Sequence, residues 1–74
     1  MATFTFDNRQ PRTVKVAVEP WAQALDLESM SRIVIEYDEP ANLEVTLDEE
    51  GWVVIGVSTR RIHITAPGFE GTFG

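Results

Sequence analysis

Leu43-Glu44-Val45-Thr46-Leu47-Asp48-Glu49-Glu50-Gly51-Trp52-Val53-Val54-Ile55-Gly56-Val57, continuing through Ser58-Thr59-Arg60-Arg61 into Ile62-His63-Ile64-Thr65-Ala66, is the stretch that decides the fold class. Leu43, Val45 and Leu47 alternate with Glu44, Thr46 and Asp48; Val53, Ile55 and Val57 share one side of the next run, and Ile62 and Ile64 one side of the third. Apolar residues at every second position, bounded by acidic and glycine-containing turns, are the signature of half-buried strands joined by hairpins. The spacing predicts three consecutive antiparallel strands, with turns at Asp48–Gly51 and Ser58-Thr59. This Leu43–Ala66 meander is the expected nucleus of the sheet.

Upstream, Arg32-Ile33-Val34-Ile35-Glu36-Tyr37 repeats the alternation, with Ile33, Ile35 and Tyr37 on one face. Thr13 to Val18 places three valines on one side, and Thr3-Phe4-Thr5-Phe6 places two phenyl rings on one side, both good strand chemistry. Asp7-Asn8-Arg9-Gln10-Pro11, Glu19-Pro20 and Asp38-Glu39-Pro40-Ala41-Asn42 interrupt these runs with residues that favour turns or cannot join a ladder. Between Trp21 and Ser31 two readings stand. Leu25 and Leu27 flank Asp26 as in a strand over Ala22–Leu27, whereas Trp21-Ala22-Gln23-Ala24-Leu25 also suits a single helical turn. After Pro67-Gly68, the segment Phe69–Gly74 reads as a short last strand or a frayed tail. No internal repeat is visible. Six to seven short strands at this spacing predict a small antiparallel all-β sandwich or barrel in one domain spanning residues 1–74. Its inward set is Phe4, Phe6, Val14, Val16, Val18, Leu25, Leu27, Ile33, Ile35, Leu43, Val45, Leu47, Val53, Ile55, Val57, Ile62 and Ile64.

From Glu19-Pro20-Trp21 through Leu25 and Leu27 to Ser31-Arg32-Ile33, the chain resembles short uncharacterised bacterial β-proteins in which a strand ends in Glu-Pro-Trp and a turn feeds the next strand. Many of these carry Pro-Gly in that turn, where this chain has Ser29-Met30. The resemblance implies an all-β fold and brings no activity with it.

Composition narrows the chemistry. At 74 residues the chain is near the size at which small domains draw on disulfides, metals or association for stability. It has no cysteine and one histidine, which excludes disulfides, thiolate zinc and histidine-rich metal sites, so no cofactor is expected. Association with another copy or another protein is the remaining source of stability. Six basic residues against twelve acidic ones, a formal net charge of −6, argue against nucleic acid and anionic membranes. No apolar run reaches the length of a spanning helix, and Met1–Phe6 lacks the basic start and apolar core of a secretory signal, so a cytoplasmic setting is expected.

The candidate site residues are few. His63 lies between Ile62 and Ile64, and alternation turns it outward beside Arg61 and Thr65, a solvent-facing or interface position without an activated nucleophile. The acids between Glu36 and Glu50 fall mostly in turns and read as a solvated cluster guarding strand edges. Trp52 and Val54 lie opposite Val53, Ile55 and Val57, which makes that strand apolar on both sides and demands a cover over Trp52. The cover expected is the Trp21 loop, the Phe69–Phe73 tail or a neighbouring chain. Tryptophan and arginine anchor interfaces, so Trp52, Val54, Trp21, Arg60, Arg61 and His63 form the expected contact set. The leading expectation is a non-enzymatic, acidic β module that works by protein–protein contact and self-associates through the Trp52–Val54 face. The alternatives are a small-ligand or carbohydrate-binding domain stacking on Trp21 or Trp52, and an acidic inhibitor or immunity-type protein for a basic partner.

Overall fold

A computed structural model describes residues 1–74 and contains strands and turns only. The strands are β1 (Ala2–Asp7), β2 (Val14–Glu19), β3 (Gln23–Leu27), β4 (Arg32–Tyr37), β5 (Asn42–Leu47), β6 (Val53–Ser58), β7 (Ile62–Ala66) and β8 (Phe69–Phe73). They form two open four-stranded sheets, ordered β1-β4-β7-β8 and β3-β2-β6-β5. The buried residues of both sheets belong to one core cluster, as in a β-sandwich. No helix is long and apolar enough to cross a membrane.

Eight strands, rather than six or seven, follow from the segments that the sequence left open. Trp21–Ser31 resolves as a strand, β3, with Ala22 held at a positive φ of 55° in the turn before it. The C-terminal segment is strand β8, paired along its length with β7. Its inward residues, Phe69, Gly71 and Phe73, oppose Ala66, Ile64 and Ile62. The two phenyl rings stack at 6.4 Å and 11° across the glycine between them and pack against the core. A side chain on Gly71 would sit 3.1 Å from the Phe73 ring and 3.3 Å from that of Phe69, so the glycine makes room for the stack.

The expected Leu43–Ala66 meander forms only in its first half. β5 and β6 pair antiparallel around Asp48, whose carboxylate accepts from the N–H groups of Glu50 and Trp52 at 2.9 and 2.8 Å. β7 does not pair with β6. The second edge of β6 is taken by β2, in parallel, and Thr59-Arg60-Arg61 carry the chain to the other sheet, where β7 pairs with β4 and β8. The parallel β2–β6 pair also corrects the expected all-antiparallel order. A parallel neighbour needs a connection that leaves the sheet, and the excursion through β4 supplies it. The reason for both departures is burial. With β6 and β7 in opposite layers, Val53, Ile55 and Val57 share a closed core with Ile62 and Ile64, all five of which are buried.

The chain changes layers after β1, β3, β4 and β6, and turns within a layer after β2, β5 and β7. Each pair of layer changes is tied together. At one end, the Asn8 N–H donates to the Ser31 carbonyl and the Met30 N–H to the Asn8 carbonyl. The Asn8 side-chain amide then donates to the carbonyls of Arg12, Leu27 and Glu28 at 2.9–3.0 Å, while its oxygen accepts from the Gln10 N–H. At the other end, the Asp38 N–H donates to the Arg61 carbonyl, and the Thr59 hydroxyl to the Asp38 carbonyl at 2.6 Å. Asn8 and Asp38 each follow a strand, and Ser31 and Arg61 each precede one, at equal spacing. The connectivity is therefore duplicated although no repeat is legible in the residues.

The core consists of Val16, Val18, Leu27, Val53, Ile55 and Val57 from one sheet and Ile33, Ile35, Ile62 and Ile64 from the other. Most of the expected inward set is buried or packs against this cluster, but Val45 and Leu47 are 44% and 72% exposed. They face inward all the same, because their ladder partners, Ile55 and Val53, are buried. β5 is an edge strand, and the opposite sheet does not reach over its far half.

Candidate interaction surface

The expected contact residues do not gather at one place. Trp52 is half-buried on the outer side of the β2–β6 sheet, where the Lys15 ammonium lies 5.6 Å from the centre of its ring. Lys15 also pairs with Asp26 at 2.9 Å on the neighbouring strand. The Lys15 ammonium over Trp52 belongs to its own chain and is a contact that none of the expected covers named. Val54 is half-buried beside Ala17. Trp21 packs against the core cluster from the β2–β3 turn. Arg60 and Arg61 are exposed in the crossing between β6 and β7.

His63 is on the outer face of the opposite sheet. Its partners come from β8 and β4 rather than from its own strand: Nδ1 is 2.7 Å from the Thr72 hydroxyl, Nε2 is 2.9 Å from a Glu70 carboxylate oxygen, and Glu36 is its ladder neighbour. A hydroxyl, an imidazole and a carboxylate in sequence is the connectivity of an activated nucleophile. Here it lies on the outer sheet face, and His63, Thr72 and Glu70 line none of the three hollows.

Asp7 and Arg32 close the end of the β1–β4 ladder with a two-point contact, Nε at 2.6 Å and Nη2 at 3.1 Å. Hydrogen bonding from Arg32, reinforced by the charges of Arg32 and Arg9, holds the Asp7 carboxyl below its ordinary range. On the outer face, Gly56 leaves a gap between Glu19 on β2 and Glu44 on β5, opening a hollow of about 620 Å³. Its two carboxylates lack a third ligand, and no group of three potential metal-binding side chains exists in the chain.

The most apolar concavity is elsewhere. A groove of about 580 Å³ opens beside β5, where Val45 and Leu47 stand over Val53, Val14 and Phe6. Arg9, Arg12 and Asp7 form its polar rim. β5 has a ladder on one side only, so its outer row of N–H and C=O groups is unpaired. Every other strand carries at least half-buried residues along its inward side; β5 is exposed from Glu44 onward. An apolar edge with free backbone groups is a ready template for another strand.

No protein-family model matches the chain, and neither a curated protein nor a solved structure does. The reading of this surface therefore rests on its own geometry.

Sequence pattern gave other roles to Val45, Leu47 and Asn8. Val45 and Leu47 have the same alternation as buried strand residues, and only the position of the opposite sheet exposes them. A signal was present in Glu44-Thr46-Asp48, whose polar run marks the strand as one-sided, but one-sidedness does not say whether the apolar side is covered. Asn8 reads as a turn former, and nothing local announces that the residue is 2% exposed and its amide bonded across two connections.

Proposed function

We propose that this chain is a non-enzymatic contact module that self-associates, and that its working surface is the β5 edge with the groove beneath it, not the Trp52–Val54 face. The observation that carries the proposal is Leu47, 72% exposed on the inward side of an unpaired edge strand. Burying one leucine or valine side chain contributes about 1.5–3 kcal/mol, and a small domain without cysteine has few other reserves. Native proteins usually blunt such edges with lysine, proline or an inward charge. Within Asn42–Leu47 there is only Glu44, on the outward side, so the inward side carries no deterrent.

The stacking-ligand alternative has less support. Trp21 packs against the core, and one face of Trp52 is taken by Lys15, so neither indole is a free platform. Sedimentation equilibrium across a concentration series tests the proposal. A dimer mass is expected for the wild type and a monomer for Val45→Lys, which puts a charge into the apolar row. A wild-type chain that stays monomeric at high micromolar concentration overturns it.

A further inference from the structure

We infer that the occupant of the β5 edge is β5 of a second copy, running antiparallel about a two-fold axis at Val45, so that two four-stranded sheets continue as one; this rests on the self-association proposed above. A two-fold axis relating neighbouring antiparallel strands stands normal to the sheet, which keeps the inward faces on the same side and makes some residue its own partner. The registers can therefore be enumerated. With Val45 on the axis, Leu43 meets the partner's Leu47, Val45 meets the partner's Val45, and Glu44 meets the partner's Thr46. Apolar residues face apolar ones along the inward side, each Glu44 faces the partner's Thr46 hydroxyl, and each Asp48 faces the partner's Asn42.

The neighbouring registers fail on charge. With Glu44 on the axis, two carboxylates oppose each other directly, their Cβ atoms about 4.5–5.5 Å apart. With Thr46 on the axis, Glu44 faces the partner's Asp48. Centring on Leu47 sets Val45 against the partner's Glu49, and centring on Leu43 sets Leu47 against the partner's Glu39. The sequence of β5 is self-complementary in one register, and that is what selects a second copy over an unrelated strand. Both remaining edges in the β3-β2-β6-β5 layer of such a pair are β3 strands, whose Leu25 and Leu27 are already half-buried and buried. Each copy has one β5 edge and the contact is isologous, so this contact closes at two.

The chain has no cysteine, so introduced thiols report the register without interference. Directly opposed residues in antiparallel strands have Cα atoms about 4.5–5.5 Å apart, inside the range a disulfide spans. Under mild oxidation, Val45→Cys is expected to cross-link to a dimer quickly. Leu43→Cys and Leu47→Cys should cross-link poorly alone and well when mixed. Met30→Cys, at a position 75% exposed in a turn, measures random collision. Independently, Thr46→Lys places an ammonium opposite the partner's Glu44 twice per dimer and is expected to tighten the dissociation constant between about two- and thirtyfold. Cross-linking of Val45→Cys no faster than the Met30→Cys control, or weakening by Thr46→Lys in a chain that still dimerises, overturns the register. A wild-type chain monomeric at all concentrations removes the self-association reading itself.

Discussion

Replacing Asn8 by alanine tests how the two layers are held together. The residue is 2% exposed, and its side-chain amide nitrogen lies 2.9, 2.9 and 3.0 Å from the carbonyl oxygens of Arg12, Leu27 and Glu28. The amide has two hydrogens for three acceptors, so one N–H is shared. Its oxygen accepts from the Gln10 N–H at 2.9 Å. Truncation takes a donor from the buried Leu27 carbonyl, which costs about 1–3 kcal/mol, and the more exposed bonds add about 0.5–1.5 kcal/mol each before water replaces them. A total of about 2–4 kcal/mol is expected. Domains of this size hold roughly 4–11 kcal/mol in all, so the loss is a large fraction. Urea unfolding followed by tryptophan fluorescence reads it directly, and the melting temperature should fall by at least about 10 °C. Asn8→Asp sharpens the test, because a carboxylate would face three carbonyls in a buried site. Burial and those dipoles raise its folded-state pKa, so this variant should be most stable at low pH and lose stability as pH rises through the carboxylate range. A loss below about 1 kcal/mol for Asn8→Ala, or an Asn8→Asp protein indifferent to pH, refutes the view that this amide is the tie between the two connections.

Other expectations follow from single contacts. Because Arg32 lowers the Asp7 pKa, the pair stabilises the fold above the ordinary carboxylate pKa and stops doing so as pH falls through the lowered value. Asp7→Asn should flatten the dependence of unfolding midpoint on pH below the ordinary carboxylate pKa, and an unchanged slope would show the pair to be idle. Gly71→Val drives a branched side chain into the Phe69–Phe73 stack and should cost about 1–3 kcal/mol in a thermal melt; equal or higher stability would mean the rings part freely.

Much of the strand content was legible because period-two alternation survives whatever the tertiary context. Ile33 and Ile35, Val16 and Val18, and Ile62 and Ile64 alternate as their burial requires. What alternation does not encode is the neighbour. Nothing in Val53–Ser58 distinguishes pairing with β7 from pairing with β2, because both would bury the same three side chains. The exposure of Val45 and Leu47 is likewise a property of what lies across from them. The doubly apolar run at Trp52–Val54 is legible in the sequence, but the Lys15 ammonium over the indole, from a distant stretch of chain, is not. For Asn8, the residue type announced a bend, and only the folded chain brings Leu27 and Glu28 to its amide.

The duplicated ties have a kinetic meaning. Segments 8–31 and 38–61 are equal loops, each sealed by a backbone bond at its base, and each lays one new strand beside the last in the β1-β4-β7 series. Closing a loop costs entropy that grows only slowly with length, by about 0.6 kcal/mol per doubling. Two modest closures performed in turn can thus assemble pairings that look remote along the chain. β8 doubles straight back on β7 instead of crossing to the other layer, and so occupies the edge on which a further strand of that series would be laid.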